Sequence, residues 1–160
     1  MSVNPYLPHI LILPEDDANR RLARAFHEMI DRTRYRQLQV LRVAGGWNEV
    51  LRRFNENQIQ GMDRWPQRLM ILLIDFYGEP DRLESAKAKI PGHLTERVFI
   101  LGTLTEPEDL RADLGAFESI GSELANDCLN ETETTWGHPL LRHNVKEIVR
   151  LRESIRPILF

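Results

Sequence analysis

Four short apolar runs punctuate the chain, each bounded by polar or turn-forming residues. The longest, Leu69-Met70-Ile71-Leu72-Leu73-Ile74, has no polar position at all. Six apolar residues in a row suit a strand buried on both faces, as in a parallel sheet with helices above and below. His9-Ile10-Leu11-Ile12-Leu13 and Arg97-Val98-Phe99-Ile100-Leu101 repeat the design. Residues 37–43 instead alternate, with Leu38, Val40, Leu41 and Val43 among Gln and Arg. That pattern places a fourth strand nearer a sheet edge.

Between these runs the apolar spacing becomes helical. Leu22, Ala25, Phe26, Met29 and Ile30 form one stripe on a helix expected to run from Asp16 or Asp17 to about Asp31. An aspartate at that start accepts from the free amides of the first turn. Gly45-Gly46 breaks the chain before a second helix marked by Trp47, Val50, Leu51 and Phe54, and residues 55–67 read as a polar loop. Pro80 opens a third helix with Leu83, Ala86 and Ile90, which Pro91-Gly92 ends. Thr105-Glu106-Pro107-Glu108 has the form of a capping box, with Thr at the cap and Glu three residues after it. A helix through Leu110 and Leu114 follows, then another over about 117–129 with Phe117, Ile120, Leu124 and Cys128 inward. After a polar loop at 130–137, Pro139 opens a last helix carrying Leu140, Leu141, Val145, Ile148, Val149 and Leu151. The apolar end, Ile155 to Phe160, is expected to dock on the body or on a partner, a second copy included.

Strands alternating with helices imply βαβ units joined by right-handed crossovers. The expected fold is a three-layer α/β/α domain. It has a central four-stranded, mainly parallel sheet and a helical C-terminal extension over about 112–160. A length of 160 residues fits one such domain, residues 1–160.

Composition narrows the setting. Apolar residues at 42% and charged residues at 28% are ordinary for a soluble protein. No stretch approaches the roughly 20 apolar residues that a membrane span needs. Met1-Ser2-Val3-Asn4-Pro5 does not look like a secretory signal. The single cysteine, Cys128, excludes an intrachain disulfide and a cysteine-based zinc site, and it reads as a packed thiol. These features predict a cytoplasmic protein with no membrane association. The net charge of −3 is unevenly spread: residues 18–53 carry nine arginines against three acids, and residues 106–133 carry nine acids against one arginine. Internal salt bridges between these thirds are one reading. A phosphate-tracking surface on the first helices is the other.

Candidate chemistry gathers at two strand ends. The longest run stops at Asp75-Phe76-Tyr77-Gly78-Glu79, and the first stops at Pro14-Glu15-Asp16-Asp17. In an open α/β sheet, ligands bind beyond the carboxyl ends of the strands where the strand order reverses. If these two strands are neighbours, Glu15, Asp16, Asp17 and Asp75 meet there. Clustered carboxylates persist where a cation lies between them or one stays protonated. Mg2+ is the expected cation, because it takes oxygen ligands and completes its shell with water and phosphate. Glu15 and Asp75 are the expected catalytic residues, and Arg20, Arg21 and Arg24 the expected phosphate-binding ones. The plainer alternative has Asp16 or Asp17 only capping a helix and Asp75 only bonding loop amides.

Glu15 after Ile10-Leu11-Ile12-Leu13, with Asp75 after Met70-Ile71-Leu72-Leu73-Ile74, resembles the Toprim domain of topoisomerases, primases and OLD-type nucleases. Asp75-Phe76-Tyr77-Gly78 is similar to the Asp-Tyr-Tyr-Gly stretch of an uncharacterised bacterial Toprim-like family. The resemblance covers roughly residues 9–111. It implies magnesium-dependent phosphodiester or phosphoryl chemistry on nucleic acid, with Glu15 as general acid or base and Glu15, Asp17, Asp75 and Glu79 as the metal ligands. The chain departs from the family pattern at Asp16, where a Gly is usual, and at Tyr77, where a second Asp is usual. Glu79 or Asp81 would have to substitute. Leu13-Pro14-Glu15-Asp16-Asp17-Ala18-Asn19-Arg20 also resembles the opening of a response-regulator receiver. That resemblance makes Asp75 a phosphoryl acceptor and Thr103 a switch hydroxyl, but no lysine follows a fifth strand. The third reading is a non-catalytic module that binds a protein partner. In Thr134-Thr135-Trp136-Gly137-His138-Pro139, Trp136 reads as core cover. His138 and His143, five apart, are poorly spaced as metal ligands.

Overall fold

Alternation along the strands decides which layer each side chain joins. In the computed structural model, which describes residues 2–160, the strands are β1 (His9–Pro14), β2 (Leu38–Val40), β3 (Arg68–Leu73) and β4 (Val98–Leu101). All pair in parallel, in the order β2-β1-β3-β4. Ile10, Ile12, Ile71, Phe99 and Leu101 point into a core shared with α1 (Asp17–Glu28), α6 (Phe117–Asn130) and α7 (Val145–Leu159). Leu11, Leu13, Met70, Leu72, Val98 and Ile100 point the other way. They meet α2 (Trp47–Arg53), α3 (Ile59–Arg64) and α4 (Asp81–Lys87). The sheet is thus buried on both faces, and the expected three-layer α/β/α fold with C-terminal helices is what the chain adopts. Among the described residues, no helix is long and apolar enough to cross a membrane.

Several local expectations need correction. Residues 55–67 are not a loop: the helix begun at Trp47 continues through a π-turn at Phe54–Gln58 into α3. Phe54 and Met62 are both fully buried there, so the apolar spacing carries on past the polar residues. Gly61 is not a breaker; a Cβ at this position would collide with the Arg68 guanidinium. The capping box does not form either. The next helix, α5, spans Pro107–Leu114 with Glu106 at its cap and no side-chain cap bond, and the Thr105 hydroxyl is buried without a partner. The Thr105 carbonyl instead accepts from the Tyr77 amide at 3.0 Å, which ties it to the loop after β3. Pro139 does not open the last helix. A 3-10 turn over Arg142–Asn144 precedes α7.

Asn144 explains that delay. Its side chain accepts from the Gly102 amide (3.2 Å) and donates to the Gly102 carbonyl (2.9 Å). One turn on, Glu147 accepts from the Ile100 amide (2.9 Å), and Arg150 donates to the Val98 carbonyl (3.0 Å). Side chains at the start of α7 therefore satisfy the outer edge of β4, where another strand would otherwise pair. The apolar tail is used in the same way. Ile155, Ile158 and Leu159 are buried in the chain's own core, so of the two expected docking places, the body or a partner, these residues take the body. In the same layer, α1 and α6 approach closely at Gly121, where a Cβ would meet the Leu22 carbonyl and the Ala25 side chain.

Candidate functional site

The register of β1 on β3 builds the site. Pro14 lies opposite Leu73, so the two strands end level, and the Glu15 amide donates to the Leu73 carbonyl at 2.9 Å. The strand order reverses between β1 and β3. Glu15 and Asp75 therefore emerge side by side at the carboxyl edge, at the switch point. The Glu15 carboxylate accepts from the Asp75 amide at 2.6 Å. Both residues are withdrawn from water, with 3% of Glu15 and 1% of Asp75 exposed.

Asp16 completes the group. It caps α1, its Oδ1 accepting from the Asn19 amide at 3.0 Å. The buried Asn19 amide nitrogen bridges two acids, donating to Asp16 Oδ1 (3.0 Å) and to Asp75 Oδ1 (2.9 Å). Asp75 Oδ2 is buried and receives no donor. The neighbour that its carboxyl does reach is the Asp16 carboxyl, another acceptor. Two facing carboxylates are satisfied only with a proton or a cation between them.

The electrostatics follow from that geometry. Burial pushes Asp75 up to about 8, and the charges of Asp16 and Glu15 add to the rise, while the Asn19 hydrogen bond opposes it. Burial also raises Glu15, against the pull of the Asp75 amide and the Arg82 charge. Near neutral pH, Asp75 therefore holds a proton.

A loop closes over the acids. Phe76, Tyr77 and Gly78 donate backbone hydrogen bonds to the carbonyls of Thr103 (3.0 Å), Thr105 (3.0 Å) and Leu104 (2.7 Å). Tyr77 sits at φ 50°, a left-handed conformation uncommon for a residue with a side chain. Its phenol is pushed up to about 12, first by burial and then by the charges of Glu15, Asp75 and Asp16, which places it beside the cluster. Arg82 latches the loop. Its Nη1 donates to the Asp75 carbonyl (2.9 Å) and its Nη2 to Glu79 (3.1 Å). Its guanidinium lies over the Trp47 ring at 4.4 Å and the Tyr77 ring at 5.0 Å.

The expected residues divide accordingly. Glu15 and Asp75 are brought together. Asp17 points outward and pairs with Arg20, and Glu79 is exposed and pairs with Arg82, so neither joins the acids. Among the described residues, no group of three or more His, Cys, Asp or Glu side chains is arranged to hold a metal ion. Arg21 pairs with Glu118 at 2.8 Å. Of the three expected phosphate-binding arginines, only Arg24 makes no ion pair. His138 bonds Asp113 at 3.1 Å, while His143 stands edge-on to Phe76, so the two histidines act apart. Trp136 covers the core as expected, donating from its indole to the Leu124 carbonyl. Cys128 is a fully buried thiol, pushed up by burial.

Asp16 was expected in the cluster but not among its ligands, and Asn19 and Arg82 were missed as site residues. The Asp-x-x-Asn spacing at the start of α1 carried a usable signal, since both side chains fall on one turn. Arg82 carried none, because its role depends on the fold of the loop before it. No protein-family model, no curated protein and no solved structure matches the chain.

Proposed function

We propose that this is a Toprim-like domain for magnesium-dependent phosphodiester or phosphoryl chemistry on nucleic acid. The observation that carries the reading is the donorless, buried Asp75 Oδ2, on a carboxyl that meets Asp16 and Glu15. Carboxylate oxygens suit Mg2+, and an ion that retains several waters needs only one or two of them. Asp75 and Asp16 would hold it. Neither Asp17 nor Glu79 fits that role, since each is exposed and paired with arginine. When bound, the ion would polarise a phosphoryl oxygen. Glu15, whose carboxyl is raised by burial, is suited to act as general acid or base. Cytoplasmic residence goes with this reading, because the one cysteine is a free thiol.

The receiver reading fits less well. Asn144, Glu147 and Arg150 occupy the flank of β4 where a receiver would add its fifth strand and lysine. The non-catalytic module is favoured by one observation: the loop and Arg82 close over acids that are almost fully withdrawn from water.

Magnesium titration of isotope-labelled protein, followed by NMR, tests the reading. The amides of Glu15, Asp16 and Asp75 are expected to shift. Binding should release a proton and tighten as pH rises toward about 8. Shifts confined to exposed acids such as Asp81 and Glu108 would remove the chemistry and leave the interaction module. A nuclease assay that Glu15→Gln and Asp75→Asn leave unchanged would do the same.

A further inference from the structure

Beside α1, away from the acids, a groove of about 390 Å³ runs along β2, an edge strand. Arg24, His27, Glu28, Tyr35, Gln39 and Val40 line it. Arg32 lies near enough to Tyr35 for its charge, like that of Arg24, to act on the phenol. Past Val40 the chain stays extended, because Leu41 donates to the Ile12 carbonyl (2.8 Å) and Ala44 to the Pro14 carbonyl (2.9 Å). With a period of two, Arg42 shares the face of Val40.

Among the described residues, Arg24, Arg32 and Arg42 have no carboxylate within ion-pair distance. The local acids are occupied otherwise. Glu28 accepts from the Tyr35 hydroxyl at 2.8 Å, and Asp31 accepts from the Thr33 amide and hydroxyl at 2.8 and 2.6 Å. Within the basic third, Arg20, Arg21 and Arg52 are bound to carboxylates and Arg34 and Arg53 to backbone carbonyls, while Arg36, like the three above, makes no ion pair among the described residues. Arg24 thus brings an unpaired cation into the groove, and a stacked His27–Tyr35 pair, with ring centroids 3.8 Å apart, forms part of its wall.

We infer that this groove is a nucleic-acid docking surface, on which Arg24, Arg32 and Arg42 take the phosphates of a single strand. Guanidinium groups form forked contacts to phosphate oxygens, and such contacts do not depend on base sequence. Arg24 follows Asp16 by eight residues on one helix, about 12 Å along its axis. A strand lying on the arginines therefore leads toward the carboxyl edge of the sheet. The inference rests on the phosphodiester reading for its choice of partner, and it assigns that partner a surface separate from the acids.

Fluorescence anisotropy of a labelled oligothymidylate, in EDTA and over a range of salt, tests it. The Arg24→Glu/Arg32→Glu/Arg42→Glu variant is expected to bind at least about tenfold more weakly, with a salt slope shallower by about 2. A control with the same net charge, Arg64→Glu/Arg142→Glu/Lys146→Glu, should keep most of the affinity. Equal losses in both variants would overturn the assignment, as would a wild-type chain that binds polyglutamate as tightly as the oligonucleotide. Because EDTA removes magnesium, strand binding here and silent acids in the titration above would keep the surface and discard the chemistry. The reverse pattern would discard only the surface.

Discussion

Two aspartates of this chain are almost entirely withdrawn from water: Asp75 at the end of β3 and Asp127 on α6, which is 3% exposed. Asp127 accepts from the Thr132 hydroxyl (2.6 Å) and from the amides of Thr134 (3.2 Å), Thr135 (2.7 Å) and Trp136 (3.0 Å). Burial pushes its carboxyl up, but these four donors outweigh burial and hold it below the usual range. Asp75 has one side-chain donor, Asn19, and two acidic neighbours, and it moves far the other way. Burial alone therefore does not separate a structural acid from a reactive one. The count of donors does. Asp127 spends every lone pair on folding a loop, whereas Asp75 keeps an oxygen unmet.

Substitution should split the pair by sign. Asp127→Ala leaves the Thr135 and Trp136 amides buried without an acceptor, so it should destabilise by about 3 kcal/mol or more, read from urea unfolding. Because the folded state lowers its pKa, Asp127 contributes stability above its unfolded pKa, and that contribution fades as pH falls through the folded value. Asp75→Asn should stabilise. The folded state raises Asp75 to about 8, so its contribution is full below an unfolded pKa of about 3.9 and is lost as pH climbs toward 8. An amide at this position does not titrate. The variant should match the wild type near pH 4 and exceed it by a margin that grows as pH rises toward 8. A gap that stays flat or narrows as pH rises would mean that Asp75 is ionised in the folded chain.

The two regions also differ in how far the sequence disclosed them. Strand ends can be read from apolar runs, so the meeting of Glu15 and Asp75 needed only the inference that β1 and β3 are neighbours. Neighbouring acids in sequence cannot be told apart in that way: Asp16 turns inward to cap α1, while Asp17, one position on, turns out to Arg20. Residues 130–137 read only as a polar loop, with Trp136 as core cover. That loop is the shell of donors around Asp127, a carboxylate hidden among the apolar positions of α6. The failed capping box has a similar origin. Thr105 fits the local pattern, but the loop after β3 takes its carbonyl, and a tertiary contact overrides a local preference.

Arg82 tests whether the open valence at Asp75 depends on the loop being latched. Its guanidinium ties the Asp75 carbonyl to the Trp47 and Tyr77 rings, and its charge lowers the pKa of Glu15. Arg82→Ala should cost about 1–2 kcal/mol, from one charged hydrogen bond and two cation–aromatic contacts. Arg82→Met keeps apolar cover on Trp47 but removes the charge, so it should recover part of the stability while Glu15 stays shifted further upward. Hydrogen exchange at the Tyr77 and Gly78 amides, which bond the Thr105 and Leu104 carbonyls, reports the latch directly. Faster exchange in Arg82→Ala than in Arg82→Met would mean that packing on Trp47 holds the loop. Equal acceleration in both would assign the hold to the hydrogen bond at Asp75, and so couple closure of the loop to the strand end that carries the unmet oxygen.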